Sequence, residues 1–498
     1  MHRKVCVLKF GGTSVGSGER IRQVAAIIAN ALKEYRASDG FFPVIVVSAM
    51  SGVTDQLLRI ARHACSGERE AYEQELDSLR LKHLNAAKIV VQNADKHTAL
   101  VQDIEKGVAS LTKDVYALHE AAEQGLEVSL PTAAVASRGE RLSILLVAAA
   151  VCDLAVDAQP VLQEIIITTH PRSDPAQPFG VVVGAEPLHE ETRANAARLL
   201  SPLIEQEIVP IAAGFIGRTI TGYVTTLGRN GSDYSATVIG AAIDCTEVSI
   251  YTDVDGVLTA DPRLVANARL LTHLSYAEAA RLSWFGAKVL HPRTLIPIAH
   301  RNIPVRVRNT FRPHIRGTVV GPVTTGQSGA CAITIRHKLA LITVESTDMF
   351  GAPENAGQVF ALAAGAGAAP VAICSSSGHH LSFVVEEQAA DSVVSLLHHD
   401  MENWKVSCRR GLAACACIGS GFTSDPMSPA RAVTALARER IPIITQGASE
   451  QGIALIVEDS DSESALRCLH RDLIAPVIPL VRHAHSHSAH ERRKEHVK

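Results

Sequence analysis

The chain has 498 residues, which is long for a single hydrophobic core and predicts two or three domains. Its content of 47% hydrophobic and 20% charged residues is typical of a soluble globular protein. A formal net charge of -3 and an aromatic content of 4% argue against a nucleic-acid partner, because such partners are bound by basic surfaces and aromatic platforms.

Ten cysteines are scattered without the paired spacing of a zinc site, which favours a reducing cytosol. The longest apolar stretch, 144–152, is far too short to span a bilayer. The N-terminal apolar run, 5–8, is too short for a signal peptide. We therefore expect a cytoplasmic protein without a membrane partner.

The first predicted strand begins at Val5, ends in Lys9 and leads into Gly11 and Gly12. Glycines let a backbone approach a phosphate closely, and Lys9 adds a positive charge beside the N–H groups of the next predicted helix, 18–32. Phosphate binding and an ordinary strand-to-helix turn both fit this stretch. A Walker A loop is excluded, because the lysine and hydroxyl that end that motif are missing.

A second strand is predicted over 42–49 and ends in the hydroxyl of Ser48. Strand, helix and strand in succession form a βαβ unit and imply a parallel sheet. Because ligands bind beyond the carboxyl ends of such strands, we expect Lys9 and Ser48 to share one crevice. Residues 67–125 are polar with apolar positions at helical spacing, which predicts a helical substrate lobe.

Residues 131–151 contain Glu140, in the run Ser137-Arg138-Gly139-Glu140-Arg141, before a strongly apolar helix. A carboxylate at the mouth of a buried helix fits a capping or solvated group, and it also fits a partner for a substrate ammonium. The residues alone leave both interpretations open. Further strands are predicted over 165–168, 181–183 and 209–216.

The polar cluster at 225–236 leads into a predicted helix over 235–243. In the ordinary interpretation, Ser232 and Asp233 only cap that helix. Arg229, a glycine and Asp233 within five residues also fit an anion clamp with a carboxylate that orients a reacting group.

A further acidic turn follows the predicted strand 248–252, with Asp253 at its start. Later in the chain, Lys288 is predicted to lie inside an apolar helix over 285–292. An unpaired charge would be costly there, so we expect this lysine to meet an anion.

The motifs that identify the chain, in order, are Lys9-Phe10-Gly11-Gly12-Thr13-Ser14, Ser48-Ala49, Thr54, Gly139-Glu140, 227–236, Thr252-Asp253-Val254-Asp255-Gly256 and 285–292. Together they resemble the aspartate kinases of the amino-acid kinase family, and most of all the kinase half of the bifunctional aspartokinase–homoserine dehydrogenases. The resemblance implies an α/β amino-acid kinase fold, a mainly parallel sheet sandwiched by helices, followed by two α+β ferredoxin-like ACT domains. No dehydrogenase region is expected before the end of this sequence.

The resemblance also implies the chemistry, which is transfer of the γ-phosphoryl group of ATP to the β-carboxylate of L-aspartate, with Mg²⁺ carried largely on the phosphates. Lys9 and Asp233 are implied as catalytic residues. The implied contacts of aspartate are Ser48, Thr54, Glu140, Arg229 and Ser232, and those of ATP are Lys9, Gly11, Gly12, Thr252, Asp253, Leu258, Arg263 and Lys288. Leu258 stands where the family commonly has a tyrosine, so contacts to the base or ribose are expected to differ.

We predict a kinase domain over 1–320 with its helical lobe at 67–127, a linker over 321–335, ACT-like domains over 336–410 and 411–480, and a disordered tail over 481–498. The two ACT-like segments each predict strand, helix, two strands and helix. The histidines of the tail also fit divalent-metal binding, but its polarity and terminal position favour a solvated end. No built metal site is expected.

ACT domains of aspartate kinases often bind lysine or threonine and build a dimer, so the resemblance implies such an effector and a homodimer or higher homo-oligomer. Gln446 matches the effector-binding glutamine of threonine-sensitive relatives, whereas Cys374 occupies the equivalent position in the first unit. A thiol lacks the paired donor and acceptor of an amide, so effector binding at the first unit is predicted to be weakened or absent. Two alternatives are an amino-acid kinase acting on another carboxylate and a catalytically silent ACT-based sensor.

Overall fold

The N-terminal region of the chain, residues 4–322, is built on a large central sheet. The computed structural model describes residues 4–37, 40–171, 185–228, 230–287, 290–322, 329–346, 352–377, 379–401, 404–420, 422 and 425–474. The strands of the N-terminal region are β1 (Val5–Phe10), β2 (Phe42–Val47), β3 (Ala158–Val161), β4 (Ile167–Thr168), β5 (Val209–Ala213), β6 (Ile216–Thr219), β7 (Val224–Thr226), β8 (Glu247–Thr252), β9 (His273–Ser275), β10 (Val305–Asn309) and β11 (Thr318–Gly321).

Eight of these strands form one sheet in the spatial order β3-β5-β2-β1-β8-β10-β11-β9, and the short strands β4, β6 and β7 form a second sheet. Within the large sheet, every neighbouring pair is parallel except β10 and β11. The predicted mainly parallel α/β sheet is confirmed. Strand β1 lies between β2 and β8, so the carboxyl ends of these three strands meet at one edge.

Helices cover both faces of the large sheet. They are α1 (Gly18–Arg36), α2 (Val53–Cys65), α3 (Arg69–Val90), α4 (Ala94–Glu123), α5 (Ser129–Asp153), α6 (His189–Glu205), α7 (Gly231–Ala242), α8 (Tyr276–Trp284) and α9 (Pro292–Ala299). Helices α1 to α5 pack in one hydrophobic cluster, and α6 to α9 pack in another. Helices α3 and α4 occupy the segment predicted as a helical lobe.

The alternation of side chains along β1 decides which face each residue joins. Cys6 and Leu8 belong to the cluster under α1 to α5, whereas Val5 and Val7 belong to the cluster under α6 to α9. A strand has a period of two residues, so Lys9 follows Val5 and Val7 onto the face that carries α7.

The strand predicted over 209–216 is wrong in its extent, because two strands occupy that segment. Strand β5 ends at Ala213, and β6 begins at Ile216 and joins the small sheet. Phe215 between them has φ of +65°, a left-handed conformation that breaks an extended strand. The strand predicted over 181–183 lies outside the described residues.

The helix predicted over 285–292 is also wrong for the described residues of that segment. Helix α8 ends at Trp284, and the separate helix α9 begins at Pro292. Gly286 has φ of +105°, and a Cβ at this position would lie 2.6 Å from the carbonyl oxygen of Ile335. Only glycine fits this turn, which ends α8 against the C-terminal part of the chain.

The C-terminal region, residues 329–474, forms a separate sheet of six antiparallel strands. Its elements are β12 (Ala332–Ser346), α10 (Ala352–Gly365), β13 (Ala372–Ser376), β14 (His380–Glu386), α11 (Glu387–Asp400), β15 (Trp404–Ile418), α12 (Met427–Arg438), β16 (Thr445–Ser449), β17 (Gly452–Glu458) and α13 (Ser462–Leu473). The spatial order is β13-β14-β12-β15-β17-β16. The two predicted rounds of strand, helix, two strands and helix are confirmed.

The central strands β12 and β15 each run through both rounds. The second half of β12 pairs with β14 and with the first half of β15, while the first half of β12 pairs with the second half of β15. Helices α10 and α11 cover one end of the sheet, and α12 and α13 cover the other. The predicted domain limits stay a prediction, and β12 already begins at Ala332 within the predicted linker.

In the part of the chain that is described, no helix combines the length and apolar character needed to cross a membrane. The predicted tail, 481–498, lies outside the described residues.

Candidate active site

The tip of β1 carries a buried ion pair. Lys9 Nζ lies 2.5 Å from Asp233 Oδ1, with the lysine buried and the carboxylate half-buried. Asp233 reaches this position from the first turn of α7, which packs on the face of the sheet that Lys9 joins. The structure therefore brings together the two residues predicted to be catalytic.

The N-terminus of α7 is not capped by Ser232 or Asp233, so that interpretation is wrong. The N-cap is Asn230, whose φ of +57° is left-handed and whose side chain makes no capping hydrogen bond. Ser232 and Asp233 belong to the first turn, where free backbone N–H groups and the helix dipole favour an anion. Ser232 also lies close to Gly214, whose Cβ would be 2.8 Å from that of the serine.

The glycine turn after β1 is closely packed against the turn after β2. Gly11 N donates a hydrogen bond to the carbonyl oxygen of Tyr251 in β8, at 3.2 Å. A Cβ on Gly12 would lie only 3.1 Å from the carbonyl oxygen of Ala49, tighter than most such contacts. Ser48 N donates to the carbonyl oxygen of Phe10 at 3.1 Å, so the two turns meet at one edge of the sheet. A crevice shared by Lys9 and Ser48 stays a prediction.

Lys82 is a residue near this site that the sequence did not reveal. It projects from α3, and its Nζ donates a hydrogen bond to the carbonyl oxygen of Ser51 at 2.5 Å. Burial lowers the pKa of Lys82. Nothing in the local sequence marks this lysine, because its partner is distant in the chain and is a backbone atom. Thr54 lies beyond the same turn, at the second residue of α2.

Glu140 lies in the middle of α5 and not at the mouth of a helix, contrary to expectation. The side chain is 2% exposed, and its Oε1 accepts a hydrogen bond from Ala49 N at 3.2 Å. Among the described residues, Oε2 has no hydrogen-bond partner. Burial raises the pKa of Glu140 to about 8.

The close approach of α5 to the turn after β2 depends on Gly139. A Cβ there would lie 2.8 Å from the Cβ of Ala49, so a larger residue would push the two segments apart. This contact brings the Ala49 N–H within reach of Glu140. A buried carboxylate with one unpartnered oxygen is costly, which favours a cationic ligand beside it.

A cavity of about 680 Å³ opens beyond the carboxyl end of β8. Asp253, Leu258 and Arg263, all predicted nucleotide contacts, line it. Its other lining residues are Val254, Asp255, Gly256, Val257, Ala260, Asp261, Pro262, Leu264, Leu282, Gly286, Ala287, Arg312, Ile333, Thr334, Ile335, His337 and Leu466. The cavity is therefore shared between the N-terminal and C-terminal regions, and its size suits a small-molecule ligand.

Charged groups at the cavity are mostly paired. Arg312 lies 2.8 Å from Asp255, and Arg263 lies 2.6 Å from Asp261. The Arg263 guanidinium holds the pKa of Asp261 below its usual value. Thr252, the last residue of β8, donates its hydroxyl to Asp253 at 3.2 Å. Within the described residues, no group of three or more His, Cys, Asp or Glu side chains is arranged to hold a metal ion.

Two predicted site residues, Arg229 and Lys288, lie outside the described residues.

The two predicted effector residues lie on the two edge strands of the C-terminal sheet, with Gln446 exposed on β16 and Cys374 half-buried on β13. These edges approach each other, since a Cβ on Gly447 would lie 3.3 Å from the carbonyl oxygen of Ile373. Burial raises the pKa of Cys374, against a lowering contribution from the hydroxyl of Thr445.

Comparison with known proteins agrees with this architecture. The model of the amino acid kinase family matches residues 4–309, and an ACT domain model matches residues 416–473. The bifunctional aspartokinase/homoserine dehydrogenase 1 of Zea mays is 33% identical over 482 residues, which cover 93% of this chain and 50% of that protein. The chain thus spans about half the length of the bifunctional relatives it matches.

Monofunctional relatives match over more of their length. Aspartokinase 3 of Arabidopsis thaliana is 30% identical over 490 residues, covering 93% of this chain and 81% of that protein. The crystal structure of E. coli aspartokinase III in complex with aspartate and ADP has a TM-score of 0.75 and 28% identity, covering 95% of this chain and all of that one. The chain belongs to the amino acid kinase family and, within it, to the aspartokinases.

Proposed function

We propose that this chain is an aspartate kinase, which transfers the γ-phosphoryl group of ATP to the β-carboxylate of L-aspartate and forms 4-phospho-L-aspartate. The observation that carries the proposal is the buried Glu140 carboxylate with an unpartnered oxygen, adjoining the same sheet edge as the Lys9–Asp233 pair. A cation site and an anion site so placed suit a zwitterionic amino acid beside a phosphate.

Aspartate is proposed to bind at the turn after β2. Glu140 Oε2 would accept a hydrogen bond from the α-ammonium group, which would supply the positively charged partner that this buried oxygen lacks. Ser48, Thr54 and Ser232 are proposed as polar contacts around it. Arg229 is proposed to bind the α-carboxylate, as the motif resemblance implies.

ATP is proposed to extend from the glycine turn into the large cavity. Gly11 and Gly12 would let the phosphates approach the backbone, and Lys288 would add positive charge. Thr252, Asp253, Leu258 and Arg263 would line the ribose and base, since three of these four residues line the cavity and Thr252 adjoins it. The E. coli relative with bound ADP and aspartate is consistent with these two substrates. We expect Mg²⁺ to enter as MgATP, because its coordination shell is completed mainly by phosphate oxygens and water.

The transfer itself needs little covalent help from the protein. A β-carboxylate with a pKa near 4 is already ionised at neutral pH, so no general base is required. One of its oxygens forms the new bond to the γ-phosphorus while the bond to the bridging oxygen breaks, and ADP leaves with that electron pair. Lys9 would neutralise charge on the phosphoryl group in flight, and Asp233 would hold Lys9 in place.

The C-terminal region is proposed to bind an amino-acid effector, lysine or threonine. The E. coli relative has also been solved with lysine and aspartate, at a TM-score of 0.74 and 28% identity. Gln446 is proposed as an effector contact, and the thiol of Cys374 is proposed to weaken binding at the first unit.

We further propose a homodimer or higher homo-oligomer. A cytoplasmic location fits ten free cysteines, although several plant relatives are chloroplastic.

An ATP-dependent hydroxamate assay with aspartate or glutamate as acceptor tests the proposal, because hydroxylamine traps an acyl phosphate. Turnover with aspartate and little with glutamate is the expected result. Turnover with glutamate alone would overturn the substrate assignment. No turnover with either acid would favour a silent amino-acid sensor.

A further inference from the structure

Strand β12, the first strand of the C-terminal region, contains a bulge beside the large cavity. In the pairing of β12 with β15, Arg336 lies opposite Ala414 and Leu339 lies opposite Leu412, so β12 carries one extra residue here. Lys338 within the bulge has φ of +57°, a left-handed conformation that is rare for a residue other than glycine. Bulges re-aim side chains and are frequent next to active sites.

The residue that this bulge presents is His337. His337 lines the cavity and its side chain is 47% exposed, so the residue is accessible to a ligand. Its Nδ1 lies 2.6 Å from Asp459 Oδ1, which orients the imidazole ring. The ring is thus held by a contact within the C-terminal region, which contributes part of the lining of the cavity.

No Phe, Tyr or Trp is found among the described residues that line the cavity, and His337 contributes the one aromatic ring there. The apolar side chains that line the cavity are aliphatic, and they include Leu258, Ile335 and Leu466. Nucleobases stack on aromatic side chains, among them histidine, and extruded bases are held between aromatic and apolar side chains.

The position of the cavity relative to the phosphate site fits an extended nucleotide. Asp253 at the cavity directly follows Thr252, the last residue of β8. Strand β8 is hydrogen-bonded to the glycine turn through Gly11 N and the carbonyl oxygen of Tyr251. The cavity therefore begins two residues along the chain from the Tyr251 carbonyl that holds the glycine turn, a continuity that suits an extended nucleotide.

We propose that His337 stacks on the nucleotide base, so that the C-terminal region completes the nucleotide site. The inference rests on the proposed function, because it takes a nucleoside triphosphate as the ligand. His337 is then a positioning residue for the base, contributed from outside the kinase fold, and Asp459 fixes its ring.

The test measures equilibrium binding of MgATP and of magnesium tripolyphosphate to the full chain without aspartate. Tripolyphosphate has the phosphates of ATP but no base, so it separates base contacts from phosphate contacts. The variants are His337→Ala, which removes the ring, and His337→Phe, which keeps one. His399→Ala is the matched control, because His399 is another exposed histidine of the C-terminal region with an aspartate partner, Asp400.

We expect His337→Ala to weaken ATP binding about tenfold, the usual order for loss of one stacking contact, and to leave tripolyphosphate binding unchanged. His337→Phe should stay within about threefold of the parent chain, since a ring remains available for stacking. The control should bind both ligands normally.

Unchanged ATP binding by His337→Ala, or equal loss of both ligands, would overturn the inference, as would a His337→Phe variant as weak as His337→Ala. If the parent chain bound neither ligand, the proposed function itself would fail and the inference with it. Normal ATP binding without aspartate turnover would contradict the proposed function alone.

Discussion

The two sides of the proposed site, the amino-acid side around Glu140 and the nucleotide side at the large cavity, are built in different ways. The amino-acid side lies within the N-terminal region, where Glu140 is 2% exposed and lies at the close contact of α5 with the turn after β2. The nucleotide side is a large cavity shared by both regions. We expect the amino-acid side to depend on one buried carboxyl group that must ionise to bind its ligand, and the nucleotide side to depend on both regions, because both line its cavity.

A contact between the regions illustrates this sensitivity. Glu278 caps α8 through Ser275, and its Oε1 accepts hydrogen bonds from Ser420 N at 2.6 Å and from the Ser420 hydroxyl at 2.7 Å. Burial alone would raise the pKa of Glu278, but hydrogen bonds from Ser275 and Ser420 hold it below its usual value. The other end of α8 reaches the cavity at Leu282.

The largest effect is expected at the junction of the two sides. Lys9→Ala should lower kcat by about 10³-fold, because the charge that neutralises the transferred phosphoryl group is lost. Steady-state kinetics with calorimetry as a check on folding would measure this. Lys33→Ala, at an exposed position of α1, is the control. Near-normal turnover of a folded Lys9→Ala variant would remove Lys9 from the catalytic role.

Glu140→Gln should impair aspartate binding and leave nucleotide binding intact. Loss of the buried charge should weaken aspartate binding by roughly 10²-fold while leaving ADP binding within about twofold, because a buried charged hydrogen bond is removed from one side alone. Titration calorimetry with each ligand provides the measurement, and Glu105→Gln, in a surface pair with Arg80, is the control. Equal losses for both ligands would contradict the separation of the two sides.

The raised pKa of Glu140 predicts opposite pH trends for binding and stability. Only the ionised form should bind the ammonium, so aspartate affinity should rise about tenfold per pH unit between roughly pH 6 and 7.5, below the pKa of about 8. ADP affinity should not share this trend. Affinity for aspartate that is flat over this range would show that Glu140 is ionised without ligand.

Stability should change in the other direction. The folded-state pKa of Glu140 lies above its ordinary value of 4.5, so the folded chain binds more protons between about pH 4.5 and 8. The contribution of Glu140 to the free energy of unfolding is therefore fully present below pH 4.5 and falls as the pH rises to 8. Glu140→Gln should lack this fall, which denaturant titrations at several pH values would reveal.

The smallest effect is expected when the contact of Glu278 with Ser420, between the two regions, is removed. Glu278→Ala should weaken ADP binding about threefold and leave aspartate binding unchanged, because α8 lines only the nucleotide side. Loss of its capping box should also lower the free energy of unfolding by about 1 to 2 kcal/mol. Glu439→Ala, at an exposed position after α12, is the control in the same binding and denaturation measurements. A loss of aspartate affinity in Glu278→Ala would contradict the proposed division.

Much of the fold was accessible from the sequence because it follows local periodicity. The apolar run of β1 and the βαβ spacing predicted that Lys9 and Ser48 would meet at one edge, since parallel strands place their carboxyl ends together. The two rounds of strands and helices in the C-terminal region were predicted from the same kind of pattern.

The parts that could not be predicted depend on contacts between distant residues. Lys82 reaches Ser51 across the fold, and the bulge at His337 arises from the pairing of β12 with β15. Glu140 was expected at a helix mouth, because the apolar run begins after it, whereas the helix already begins at Ser129. The break at Gly286 depends on its packing against Ile335, which no local pattern shows.

A crystal structure of the full chain with aspartate and a non-hydrolysable ATP analogue tests the central claim most directly. We predict the α-ammonium of aspartate within hydrogen-bond distance of Glu140 Oε2, the β-carboxylate facing the γ-phosphate, and Lys9 Nζ beside that phosphate. An amino acid bound away from Glu140, or a γ-phosphate remote from Lys9, would contradict it.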